Sequence, residues 1–460
     1  MVAGLLITMG TLGDRIGRRR LLLIGAAAFG AASVLAAFST SAEMLIAARA
    51  LLGIAGATLA PSTLSLIRNM FRDDRQRTVA IGIWVTSFSV GAAIGPLVGG
   101  ALLEFFWWGS VFLVAVPVMA LLLTLGPRLL PEFRDPEAGR LDLFSAALSL
   151  VGVLAVIYGL KRIAQDGLDE TAALFIAAGL AAGVVFVRRQ GLLRYPLIDL
   201  RMFRAPAFST AVAAMYTAVF VMAGIELFAA QYLQLVLGKG PFEAGLLTLP
   251  PTGGLVIGAM LAPLAARRAG PGLVVAVGLA VAAAGVAALT QVEVASGAAL
   301  IVAGTAVMGL GVGCVATLAT DLIVAAAPPK RAGSASAISE TGSELGGALG
   351  IAFLGSIGAA VYRGEVDEGI PSAVPADAAL AAGDTLGGAV EAAAELPGRL
   401  GAELLATANG AFVQGLELAA SITAACVLAL ALVAGVLLRE VRPDSESQGL
   451  SGNGPGAGGS

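Results

Sequence analysis

Gly10-Thr11-Leu12-Gly13-Asp14-Arg15-Ile16-Gly17-Arg18-Arg19-Arg20 lies between an apolar run at residues 1–12 and another at 21–40. Glycines permit close approach of the backbone, and Asp14 can pair with the arginines or cap the helix that follows. The pattern describes a tight turn between two helices at one face of a membrane. By spacing alone it is equally a positively charged turn with no further role.

The same alternation continues along the chain. Apolar segments occur at 1–12, 21–40, 43–67, 78–102, 110–127, 141–160, 171–187, 207–236, 244–266, 271–290, 297–326, 333–362 and 411–438. Hydrophobic residues make up 58% of the 460, charged residues only 13%, and mean hydropathy is +0.90. Globular chains carry about 25% charged residues. Runs of about 17–25 apolar residues cross a ~30 Å hydrocarbon core. Lipid offers the backbone no hydrogen-bond partner, so each run must be a helix. The expected class is an all-α polytopic membrane protein with about 13 transmembrane helices. Its 61 glycines suit helices that pack closely in lipid.

Charge placement orients these helices. Taking every second loop from 13–20 onward collects 22 of the Lys and Arg residues, while the other loops hold five. The rich set includes Arg15, Arg18, Arg68, Arg128, Arg188, Arg267, Lys330 and Arg439. That bias places the rich face, and the C-terminus with it, in the cytoplasm. The first segment is anomalous, because 12 residues rise only ~18 Å as a helix. The chain reads as beginning within a helix, with one helix missing before it. Four regions follow: a bundle at 1–127, two extra helices and their loops at 128–204, a second bundle at 205–442, and a disordered tail at 443–460. Within the second bundle, 363–410 reads as a long outer loop with some amphipathic helix.

Several function classes are excluded. The chain has no histidine, and Cys314 and Cys426 both lie in apolar segments, so neither a metal site nor a disulfide framework is indicated. No phosphate-cradling loop follows a strand, and no nucleophile–base pattern occurs within the segments. An enzyme is not expected, nor any cofactor or nucleic-acid partner. Proton chemistry near neutral pH falls to carboxylates, since the usual switch residue is missing.

Four of the carboxylates within apolar segments are candidates for this role. Glu340 and Glu344 are spaced i, i+4 and share one helical face, with Glu344 near the midplane. Both cannot stay charged there without partners. Such a pair can take a proton or an organic cation, and it can equally be a buried pair satisfied by Ser or Thr. Glu226 and Asp321 are further candidates, nearer the ends of their segments. Arg49 also lies in a segment, where an arginine normally faces a cavity or a partner. Trp84, Tyr216, Phe228 and Tyr232 offer cation–π surfaces, or plain packing. Gly91, Gly95, Pro96, Gly99 and Gly100 leave one groove-like helix face bent at the proline.

These stretches resemble the major facilitator superfamily. Gly10, Asp14, Arg15, Gly17 and Arg18 match its inner-loop motif, which in the family links the two halves in one conformational state. Arg49, in Arg49-Ala50-Leu51-Leu52-Gly53, resembles its fourth-helix motif, linked to proton coupling. Gly91 through Gly100 resemble the fifth-helix antiporter motif found mainly in exporters. Trp107-Trp108-Gly109-Ser110 is similar to the start of the sixth helix in the fourteen-helix drug:proton antiporters, although Ala115 stands where Asn is usual. Gln231 through Pro250 match the same group's helix 9–10 junction, and Gly258 through Gly270 form a weaker echo of the first loop. The resemblance implies a major facilitator fold with a 6+2+6 helix plan and its first helix absent. It implies proton-coupled efflux of hydrophobic or cationic compounds by a monomer in the cell membrane, driven by the proton gradient. Glu340 and Glu344 then stand at the family's paired acidic positions. Export of one endogenous metabolite or lipid, or a transport-dead fragment, remain alternatives.

Overall fold

The structure is a computed structural model describing residues 2–71, 73–134, 142–167, 169–193, 196, 198, 200–325 and 332–438. The tail 443–460, and with it Arg439, Arg442, Lys330, Arg331, Arg140 and Arg194, lies outside the described residues. The apolar segments all become helices, and no strand occurs among the described residues. The first group is α1 (Val2–Ile16), α2 (Arg18–Ala37), α3 (Ala42–Met70), α4 (Asp74–Phe105), α5 (Ser110–Leu113) and α6 (Ala115–Leu129). The hairpin α7 (Leu143–Asp166) and α8 (Glu170–Leu192) follows. The last group is α9 (Pro206–Gln231), α10 (Pro241–Leu247), α11 (Leu249–Ala269), α12 (Pro271–Ala288), α13 (Ala298–Ala325), α14 (Ala332–Gly369), α15 (Ala376–Asp384), α16 (Leu386–Glu395) and α17 (Gly398–Leu437).

Eleven stretches among the described residues are long and apolar enough to cross a bilayer, fewer than the thirteen expected. The two shortfalls have different causes. α1 has only 15 residues. In α4 the apolar stretch found among the described residues is the shorter Ile94–Phe105, while the uncharged run of the sequence reaches back to Thr78.

Two local expectations are corrected. The turn expected across 13–20 is a single residue, since α1 runs on through Asp14 and Arg15 and α2 starts at Arg18. Gly17, at φ +114°, makes that turn and occupies the N-cap position of α2, while Asp14 lies within α1. Only glycine takes this conformation readily. Gly270, at φ +84°, makes the matching single-residue turn between α11 and α12. The loop expected at 363–410 is mostly helix. Its Ala-rich composition favours helix, so α14 and α17 extend to 38 and 40 residues, with α15 and α16 between them. Tyr362 ties this cap down by donating to the Ala382 carbonyl at 2.8 Å.

Glycines set the helix spacing. α13 lies between α11 and α12. A Cβ at Gly309 would meet the Pro251 carbonyl oxygen at 2.5 Å, and one at Gly304 would meet the Gly285 carbonyl oxygen at 2.9 Å. α9 and α14 pack likewise, with Gly346 against the Tyr216 carbonyl and Gly224 against that of Gly350. Phe208, Ile225, Tyr232, Leu279, Ile301 and Met308 fill the core that results.

The α7–α8 hairpin is fastened at its arginine-rich end. Asp142 caps α7, accepting from the Ser145 amide at 3.0 Å and hydroxyl at 2.6 Å, and pairs with Arg189 at 3.1 Å. Buried Gln190 donates to the Ser145 hydroxyl at 3.0 Å and accepts from the Ile198 amide. Partial burial opposes ionisation of Asp142, but the Ser145 bonds and the Arg189 charge outweigh it and hold the carboxyl below its ordinary range. A lowered value stabilises the fold above the ordinary carboxylate pKa, and that contribution is lost as pH falls through the lowered one. Asp142→Ala should destabilise the protein by about 0.5–2 kcal/mol. Thermal unfolding of purified protein at pH 7 checks this, and the gap from wild type should narrow below about pH 4.

Candidate functional site

The arginine turn is clamped by a segment that sequence reasoning did not single out. After α6 the chain returns to Gly17, where the Phe133 carbonyl accepts from the Arg18 amide at 3.0 Å. Glu132 accepts from the Arg19 amide at 3.2 Å, and its carboxylate lies 3.7 Å from the Arg19 guanidinium. Arg19 also donates to the carbonyls of Pro127 and Leu130 at 3.3 and 3.0 Å. Arg18 is buried and donates to the Pro61 carbonyl at 3.4 Å, while Arg15 is exposed. Gly10 lies beside Pro61 of α3. A Cβ at Gly17 would run into the Glu132 carboxylate, so conformation and crowding both call for glycine there. Residues 128–140 hold Glu132, Asp135 and Glu137 beside three arginines, so acidity alone did not single out Glu132.

At the opposite ends of the helices, α4 meets α10. A Cβ at Gly100 would meet the Pro241 carbonyl oxygen at 2.5 Å, and one at Gly245 would meet the Pro96 carbonyl oxygen at 2.6 Å. Gly100 of the antiporter-like stretch thus serves a helix contact between the first and last groups. Gly91, Gly95 and Gly99 have open space around them.

Behind this contact is a cavity of about 570 Å³ bounded by α4, α9, α10, α11 and α13. Pro96, Gly99 and Gly100 line one wall and Glu226 another. Met222, Glu226, Ala229, Ala230, Leu233 and Gln234 present one face of α9 and its extension to the cavity. A π-turn at Tyr232–Val236 extends α9, its i+5 bond running from the Leu237 amide to the Tyr232 carbonyl at 2.9 Å. Such turns occur often at functional sites.

Glu340 and Glu344 lie elsewhere, on the first half of α14, and both are exposed. Neither accepts a hydrogen bond from Ser or Thr among the described residues; the Ser343 hydroxyl donates instead to the Ser339 carbonyl at 3.0 Å. Helices α9 and α14 run side by side in one direction, with Phe220 level with Gly350 and Phe228 with Gly358. Glu226 is therefore level with residues near 356, about 18 Å along the axis from Glu344. The sequence-derived carboxylates thus stand at separate levels.

The remaining candidates fall apart from both. Arg49 is exposed near the start of α3, its guanidinium carbon 5.9 Å from the centroid of the Phe112 ring. Asp321 is exposed four residues before the end of α13. Phe228 and Tyr232 are core residues, which removes them as cation–π surfaces. The Tyr232 hydroxyl donates to the Glu293 carbonyl at 2.8 Å, and Phe228 packs on Phe412. Trp84 donates to the Thr63 hydroxyl at 3.2 Å, and Tyr216 lies against Phe220.

Comparison with known proteins accords with this architecture. The family profile described as Major Facilitator Superfamily matches residues 1–351. The multidrug efflux pump LfrA of Mycolicibacterium smegmatis is 46% identical over 439 residues, 95% of this chain and 87% of that protein. The tetracenomycin C resistance and export protein of Streptomyces glaucescens is 33% identical over 450 residues, 96% and 83% of the two chains. Among solved structures, a bacterial homolog to the human lysosomal transporter Spinster, inward-facing and unoccupied, matches with a TM-score of 0.63 at 19% identity. That match covers 95% of this chain and 89% of the other, and it shows the shared fold.

The contact of α4 with α10 gives its own test. Gly245→Val should force the two helices apart, because the obstacle is backbone. In a Cys314→Ser, Cys426→Ser background, Thr305→Cys places a buried thiol on the cavity wall. Adding Gly245→Val should raise its maleimide labelling rate several-fold in detergent; an unchanged rate would show that this contact does not close the cavity.

Proposed function

The chain belongs to the major facilitator superfamily, and on that premise we propose that it exports hydrophobic or cationic small molecules in exchange for protons, by alternating access. The family and the names of its relatives point to a transporter rather than an enzyme. The finer placement we propose is with the fourteen-helix drug:proton antiporters, the α7–α8 hairpin being the inserted pair between two six-helix bundles. The energy source is the proton gradient, and the protein acts as a monomer in the cell membrane. Its arginine-rich face and C-terminus lie in the cytoplasm, as the distribution of Lys and Arg indicates.

The observation that carries this reading is the pair Glu340 and Glu344, one turn apart on a membrane span and accessible in this conformation. Their like charges, one turn apart, repel each other. One proton or one organic cation relieves the repulsion, so uptake of either favours release of the other. That exchange is what an antiporter requires, and rocking of the helix groups about the site exposes it to each face in turn. Arg49, Asp321 and the arginine turn are proposed to act in coupling and gating. A narrower substrate range is the second reading, favoured by the likeness to a protein named for export of one compound.

Energised cells producing the chain should pump out ethidium, and a protonophore should stop them. Glu340→Gln and Glu344→Gln should each reduce efflux to the rate of cells lacking the protein. Efflux that survives the protonophore, or both substitutions, removes the basis for proton exchange at this pair. Absence of ethidium efflux with intact export of a single compound would favour the narrower reading.

A further inference from the structure

We propose that the cavity around Glu226 is a second binding station on the transport route, built for a lipophilic compound bearing a single positive charge. The inference rests on the exporter reading and adds a station remote from the α14 pair. The cavity's volume of about 570 Å³ falls within the roughly 300–1,000 Å³ of small-molecule sites. Its walls are largely apolar, and Glu226, itself exposed, is the one charged residue among the described residues lining it. No hydrogen bond or ion pair engages Glu226 among the described residues. The nearby hydroxyls are committed elsewhere: Thr248, Thr252 and Thr305 donate to the carbonyls of Gly245, Thr248 and Ile301 at 2.7, 3.0 and 2.7 Å.

A carboxylate beside apolar walls, with no partner among the described residues, is a site for a cation from outside the protein. One carboxylate balances one charge; a dication would bring a second into an apolar wall uncompensated. Gln234, placed by the π-turn, is the other polar side chain free to contact the bound compound. The station lies about 18 Å along the helix axis from Glu344, and the α4–α10 contact closes it. A compound bound there is clear of the pair on α14.

Equilibrium binding to the purified full-length protein tests the station without any gradient. Tetraphenylphosphonium is the cationic probe and Nile red the neutral one. Glu226→Gln keeps the shape and removes the charge. It should weaken tetraphenylphosphonium binding about tenfold or more, the scale of a lost charge-assisted contact, and leave Nile red binding unchanged. Gly99→Leu, at a lining position with no atom within 4 Å of an added Cβ, extends into the cavity and should weaken both probes. Three results would each overturn the proposal: wild-type affinity for tetraphenylphosphonium in Glu226→Gln, equal loss of both probes in that variant, or unchanged binding of both in Gly99→Leu. Failure of cellular efflux with this binding pattern intact would count against the exporter reading alone.

Discussion

Backbone-to-backbone approach at glycine is the interaction on which the helix arrangement depends. Lipid is as apolar as leucine, so burial of apolar side chains supplies little force between spanning helices, and close packing has to supply it. Gly304 and Gly309 give α13 two such contacts on different faces, one with α12 and one with α11. Gly346 and Gly350 bring α14 onto α9 in the same way. Each contact involves backbone on both sides, so it cannot slide or swell by rotamer change. The last helix group is consequently locked as one body, the kind of element that rocking about a central site requires.

The same device appears with a different consequence where α4 meets α10. Gly100 and Gly245 permit backbone contact between the first and last helix groups, and no ion pair across that contact occurs among the described residues. Within the first group the arrangement is the reverse, because Arg19 is held by Glu132 and by two carbonyls. Charge-assisted bonds hold the first group together at the arginine turn, whereas close backbone packing at glycine joins the groups where α4 meets α10. A contact made by close packing loses about a quarter to a half of its attraction once the surfaces part by roughly 0.5–1 Å, which suits the opening and closing proposed for this boundary.

Much of the fold was legible because segment length and polarity are local properties. Every apolar run became a helix, and the weak echo of the first turn at Gly258 through Gly270 proved to be a matching glycine turn. What failed was also physical in origin. Residues 363–410 read as a loop because they are not apolar, yet Ala-rich polar sequence forms helix outside a membrane as readily as inside. Asp14 looked like a cap because it precedes the arginines, but the turn sits three residues later, at Gly17. Of the site, the residue types were legible and the grouping was not. Nothing in the spacing said that Glu226 would share a cavity with Pro96 and Gly99, or that Glu132 would return to Gly17. Both depend on how helices distant in sequence are laid together.

That grouping changes what the carboxylates can be asked to do. A cation crossing an apolar interior pays several kcal/mol in lost hydration unless the protein replaces it. Were Glu340 and Glu344 the only acids on the route, the compound would cross the second half of the bundle against that penalty. Glu226, on the neighbouring parallel helix and about 18 Å further along, is proposed to receive the compound on that second half of the route. On the proposed exchange of a proton for the compound, a pair suits the first station, since two carboxylates can differ in occupancy. A single carboxylate suits the second, where the compound needs only to be held until α4 parts from α10. The difference in number between the stations is then a difference in task.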